Sequence, residues 1–168
     1  MDWLTILLRI IHIFSGVFWA GTTFFFVAFL SPSVNATAPE GSKVMGYLIQ
    51  RTRYVNVITL AAVLNPISGL WMYWNEFHFN AFTSSYGWGL SLGGLAGLIA
   101  AGVGLLVTRP AAVKMGELGK KIQAAGGPPT PDQMKQLQLL GGKLASGARL
   151  TAILLTLALL GMSTARYL

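Results

Sequence analysis

Within the apolar stretches of this chain ionisable side chains are few, and Arg9 and His12 are the first of them. They stand one helical turn apart, and Gly16, Trp19 and Thr23 continue the same face at helical spacing. A charged or titratable group in hydrocarbon is costly, so each such residue is a functional candidate by default. A neutral imidazole suits haem iron, copper or zinc, and a thioether sulfur suits Cu(I) or an axial haem position. Met72, Met162 and His78 are the further donors of that kind nearest the same end of the chain's apolar segments. Asn65 is level with His12 on another segment, with Ser68, Gly69 and Met72 following on its face, and both Asn65 and Ser68 suit a supporting hydrogen bond. Arg9 suits a haem propionate, a lipid phosphate or Asp2, or simply reaches for the interface. A second reading stands beside each of these. His12 bonded to Asn65, Ser68 or a main-chain carbonyl would set helix register, and Met in an apolar helix is ordinarily filler.

Other chemistries are excluded by what the chain lacks. Its five acids are Asp2, Glu40, Glu76, Glu117 and Asp132, all at segment ends or in loops, so no buried carboxylate pair is available. Cys is absent, which removes disulfides, thiolate metal sites and cysteine nucleophiles. Nucleotide-binding and hydrolase motifs are missing as well. The lack of buried acids argues against a carboxylate-driven transporter, and an enzyme is not the first expectation.

The elements that must position these residues follow from composition. Hydrophobic residues make up 54% of the 168 and charged residues only 10%, against about 25% charged in a soluble domain. Such a chain cannot cover a water-facing surface, and it is too apolar to be disordered. It reads as one transmembrane domain, an all-α four-helix transmembrane bundle. About 20 apolar residues cross a bilayer, and the spans are expected at about 3–30, 54–74, 86–108 and 150–168. The first has no cationic lead or small-residue cleavage site and is expected to remain as a span. Pro32 is expected to end it, and Asn65-Pro66 to kink the second, with the Asn65 amide capping the freed backbone groups. His12 then lies about 13 Å inside the first span at 1.5 Å per residue.

Ten of the twelve Lys and Arg flank or occupy the segments 31–53 and 109–149; only Arg9 and Arg166 lie towards the other side. That asymmetry is the positive-inside signature. It places both segments in the cytoplasm, both termini outside, and the chain in a plasma membrane, that of a bacterium by expectation. The net charge of +7 thus reports topology and attraction to the lipid bilayer, with no nucleic acid implied. A short interfacial helix is expected around 43–50, and an aromatic outer loop with Phe77, His78, Phe79 and Phe82 at 75–85. Segment 109–149 reads as a cytoplasmic helical hairpin. A helical extension over 111–125 breaks at Gly126-Gly127-Pro128-Pro129, and Thr130, Pro131 and Gln133 then carry the signature of a capped helix start.

In lipid, small residues let helices approach. Gly89, Gly93, Gly97 and Ala101 recur every four residues along the third span, and Gly94, Gly102 and Gly104 widen the groove. This face suits close packing within the bundle, a flat ligand, or contact with other membrane subunits or a second copy in a homo-oligomer.

The run His12-Ile-Phe-Ser-Gly-Val-Phe-Trp19-Ala-Gly21, followed by aromatics and Pro32, resembles the opening helix of CopD-like membrane proteins and of HemJ-type protoporphyrinogen oxidases. Asn65-Pro66-Ile-Ser-Gly69-Leu-Trp71 is similar to their second helix, and Gly161-Met162-Ser-Thr-Ala165-Arg166-Tyr167 to the close of several such proteins. The likeness touches all four spans, and its most specific part is His-x6-Trp-x-Gly. The resemblance implies a membrane protein with a haem b or copper ion in its outer half and a redox or metal-handling role. His12 would be the ligand, Arg9 would orient the group, and Asn65 or Ser68 would stand behind it; for a metal ion, Met72 and Met162 would join His12. A cofactor-free structural subunit of a larger complex, packing through the glycine face, and a HemJ-like oxidase are the alternatives.

Overall fold

The computed structural model describes residues 3–78 and 80–168. It is 92% helical, with no strand among the described residues, so the fold is the expected all-α one. Helix α1 (Trp3–Phe25) passes through a π-helical turn, Phe26–Leu30, directly into α2 (Ser31–Ala36). Helix α3 (Glu40–Arg51) leads to α4 (Tyr54–Phe77), and a 3-10 turn, Ala81–Thr83, precedes α5 (Ser85–Val103). A second π-helical turn, Gly104–Thr108, joins α5 to α6 (Arg109–Ala125), and α7 (Pro131–Thr164) closes the bundle. Four stretches are long and apolar enough to cross a membrane: Trp3–Ala36, Tyr54–Phe77, Ser85–Ala125 and Pro131–Tyr167. At 1.5 Å per residue the 41 residues of the third reach about 60 Å, twice the hydrocarbon thickness.

Pro32 does not end the first helix. It sits in the first turn of α2, just beyond a π-helical turn in which the Ser31 amide donates to the Phe26 carbonyl five residues back. Pro110 repeats the arrangement in α6, where the Arg109 amide donates to the Gly104 carbonyl. A proline ring clashes with the carbonyl four residues earlier in a regular helix. The wide turn makes room for that ring and lets both helices continue. Neither turn is visible as a pattern in the sequence. Asn65-Pro66 also lies inside one continuous helix, α4.

The four spans close into a ring, each packed on two others: α1 on α4 and α7, α5 on α4 and α7, with α1–α4 and α5–α7 the closest pairs. Every span supplies the central core, through Trp19 and Ala20, Ala61 and Ala62, Ala100 and Ala101, and Leu155. Alanine at these crossings lets the backbones approach, which is what holds helices together where lipid is as apolar as the core. Large side chains instead face outward: Val17 is 70% exposed, Leu106 79% and Ile153 60%. A water-facing surface would not tolerate them; a bilayer does.

At the cationic end, α3, α6 and the start of α7 form a second layer over Phe26, Met45, Ala112, Leu144 and Ala148. Helix α3 is the short helix expected around 43–50. The α6–α7 hairpin turns where its signals lie. Gly126 adopts a left-handed conformation at φ 68°. Thr130 accepts from the Gln133 amide while the Gln133 side chain accepts from the Thr130 amide, a complete capping box. Asp2 and Phe79, the former one of the partners expected for Arg9, lie outside the described residues.

Candidate functional site

The closest pair of spans in the first half of the chain, α1 and α4, meets through His12 and Asn65. The imidazole Nδ1 lies 2.8 Å from the main-chain oxygen of Asn65, and the Asn65 side-chain amide donates to the main-chain oxygen of His12, also at 2.8 Å. A carbonyl only accepts, so Nδ1 carries a ring proton, and in the neutral ring Nε2 carries the lone pair. The Asn65 amide, expected to cap backbone groups freed at a kink in its own helix, crosses to the neighbouring helix instead. Pro66 lies inside the continuous helix α4.

Two glycines make this meeting of helices possible. A Cβ on Gly16 would stand 2.7 Å from Asn65 Nδ2, and one on Gly69 would stand 2.7 Å from His12 Cε1. Ser68 is buried beneath the pair, its hydroxyl 2.7 Å from the Leu64 carbonyl and 3.0 Å from that of Asn65. It comes within 3.5 Å of His12 Nδ1, too long to compete with the main-chain oxygen. His12 itself is half-buried, and Nε2 has no hydrogen-bond partner among the described residues. One turn nearer the chain's start, Arg9 is exposed and pairs with no acid among the described residues.

The other residues expected at this site scatter. Met162 spends its side chain on the α5–α7 contact, with Cγ against Gly93 and the methyl group against Gly94. Met72 is half-buried one turn beyond Gly69. His78 is exposed at the end of α4, 6.2 Å from the Trp74 ring. Thr156 of α7 is exposed and bonds its own helix at Ala152. Gly89, Gly93 and Gly97 face α7 of the same chain, against Ala165, Met162 and Ala158. Gly102 and Gly104 have open space where a side chain would begin.

This donor set suits one group better than the other. A single imidazole, oriented by a carbonyl on Nδ1 and free at Nε2, is how an axial haem ligand is held. Copper needs several donors. No group of three or more His, Asp or Glu side chains forms among the described residues, and Met162 and His12 belong to different helix pairs.

Sequence reasoning drew attention to the termini end and missed the other half of the bundle. A cleft of about 80 Å³ lies there, lined by Trp19, Thr23, Tyr54, Gly104, Arg109 and Thr151 among others. Thr151 is one of its lining residues, and the buried Thr151 Oγ1 has no hydrogen-bond partner among the described residues. The one available signal was spacing: Leu144, Ala148, Thr151 and Leu155 form a buried stripe along α7. No family model matches the chain, and comparisons with curated proteins and with solved structures likewise give no match.

Proposed function

We propose that this protein is an integral membrane protein that holds a haem b at the termini end of its bundle, with His12 Nε2 as the axial ligand. The observation that carries the reading is the 2.8 Å bond between Nδ1 and the Asn65 carbonyl, which fixes the tautomer and leaves Nε2 the free donor. Arg9, unpaired among the described residues and one turn away, supplies the cation for a propionate. Asn65 and Ser68 stand behind the imidazole. A haem held in this way supplies one-electron chemistry, and the chain's own part is to orient the ligand and shield one face with apolar side chains. The CopD-like and HemJ-like resemblance of the first two spans points the same way.

A second reading is favoured by the same His12–Asn65 bonds, which are the main-chain tie expected of a register-setting histidine, and by the packing of Gly16 and Gly69. On that reading the His12–Asn65 pair is a register lock and the protein is a cofactor-free subunit of a larger membrane assembly. One experiment separates the two. Protein solubilised in mild detergent, from cells supplied with haem precursor, is expected to show a Soret band and about one iron per chain. In the His12→Ala variant, checked for folding by circular dichroism, the band should vanish. Colourless, iron-free wild-type protein, or a band indifferent to His12→Ala, would overturn the haem reading and leave the subunit reading.

A further inference from the structure

The cleft in the cationic half carries an inference of its own, independent of His12. Three features converge on it. Both π-helical turns border it, through Phe26 of the first and Gly104, Leu105 and Thr108 of the second; such turns gather at functional sites. Thr151 lines it, only 4% exposed, and its buried hydroxyl has no partner among the described residues. An unsatisfied buried hydroxyl costs about 1–3 kcal/mol, so a ligand atom that bonds it gains what the free protein lacks. At the rim stand Arg109, exposed and without an acid partner among the described residues, and the half-buried Tyr54.

The order of these groups along the bundle specifies the ligand class. Thr108 lies against Gly147 of α7, and Thr151 is four residues, just over one turn or about 6 Å, farther into the bundle. A ligand entering here meets a cation first, then a hydroxyl one turn deeper, then apolar walls from Trp19, Ile58 and Ala62. A glycerophospholipid presents its groups in that sequence: phosphate, ester carbonyl, acyl chain. The cleft is about half the size of a dry cavity that admits benzene, roughly 150 Å³. It therefore takes a section of one acyl chain, and the rest lies along exposed apolar side chains such as Leu106.

We propose that this cleft binds one anionic phospholipid, with its phosphate at Arg109 and Tyr54 and an ester carbonyl accepting from Thr151. The shared chemistry, an anionic phosphate, also exists as the free ion, and a buried water could satisfy Thr151; the test separates these sources. Full-length protein stripped of lipid in detergent is titrated with dioleoylphosphatidylglycerol, dioleoylphosphatidylcholine or inorganic phosphate. Thermal unfolding and lipid adducts in native mass spectrometry are the readouts.

Phosphatidylglycerol is expected to bind about fivefold or more tighter than phosphatidylcholine, the difference attributable to one cation, and Arg109→Gln should remove that preference. Thr151→Val keeps the side-chain shape, should raise or preserve the unfolding temperature without lipid, and should weaken phosphatidylglycerol about fivefold. Gly104→Leu, at a position with nothing within 4 Å of its new Cβ, should fold and block both lipids. Lys135→Gln, in the hairpin and outside the cleft lining, should change neither. Equal binding of the two lipids, full stabilisation by inorganic phosphate alone, or lipid affinity indifferent to Thr151→Val and Gly104→Leu would each overturn the site. None of these readouts depends on a haem, so failure here leaves the His12 reading standing, and the reverse holds.

Discussion

His12 and Asn65 are bonded reciprocally: each side chain reaches the main-chain oxygen of the other residue, and both contacts measure 2.8 Å. The pair therefore ties α1 to α4 at a single height, because sliding either helix by one residue breaks both bonds together. Whatever Nε2 does, Nδ1 is already committed.

The two bonds should be energetically coupled. Interhelical hydrogen bonds in membranes average about 0.6 kcal/mol and reach about 1.7. His12→Ala and Asn65→Ala are each expected to destabilise the protein by about 1 kcal/mol. In a double-mutant cycle the two losses should fall short of adding, measured by reversible unfolding in mixed micelles. Full additivity would mean that the two bonds act separately.

Gly69 should resist even alanine. The new Cβ would meet the imidazole at 2.7 Å, so the ring must turn and give up its carbonyl. Gly69→Ala is expected to cost about 1–3 kcal/mol, as overpacking does, whereas Gly102→Ala, with open space at its Cβ, should be near neutral. If the haem reading holds, Gly69→Ala also shifts or bleaches the Soret band while Gly102→Ala does not.

The α5–α7 pair depends on main-chain contact. A Cβ on Gly93 would come within 3.0 Å of the Met162 backbone nitrogen, an atom that cannot rotate away. Gly93→Val is expected to lower the unfolding temperature by several degrees through forced separation of the helices. Gly94→Ala, whose nearest neighbour is the flexible Met162 methyl at 4.0 Å, should be tolerated. A similar drop for both would show that helix propensity, not the close approach, sets the cost.

The capping box offers a local test. Thr130→Ala removes the acceptor for the Gln133 amide and is expected to cost about 1 kcal/mol. The loss should appear as fraying at the start of α7, read as faster amide exchange over the first turns, with the spans unaffected. Protection unchanged in those turns would mean that the hairpin partner, not the cap, holds the helix start.

Much of this architecture was legible before any coordinates. The four spans, the cationic end, the Gly126 turn and the Thr130 capping box depend on hydropathy over about 20 residues or on partners three residues apart, and a sequence displays both. The facing of each helix is different in kind. In water an amphipathic stripe marks the buried side; in a bilayer the lipid side and the core side are both apolar, so the stripe disappears. That is why hydropathy alone does not distinguish Thr156, which faces outward, from Thr151 five residues earlier, which is buried. It is also why the glycines of the third span could be recognised as a packing face, although their occupant, α7, could not be named. The π-helical turns before Pro32 and Pro110 and the crossing of the Asn65 amide to α1 likewise exist only once neighbouring backbones are in place. Composition and local spacing settled what the chain is made of and where it must run; only the meeting of helices decided which polar atoms are satisfied and which, like His12 Nε2 and the Thr151 hydroxyl, have no partner among the described residues.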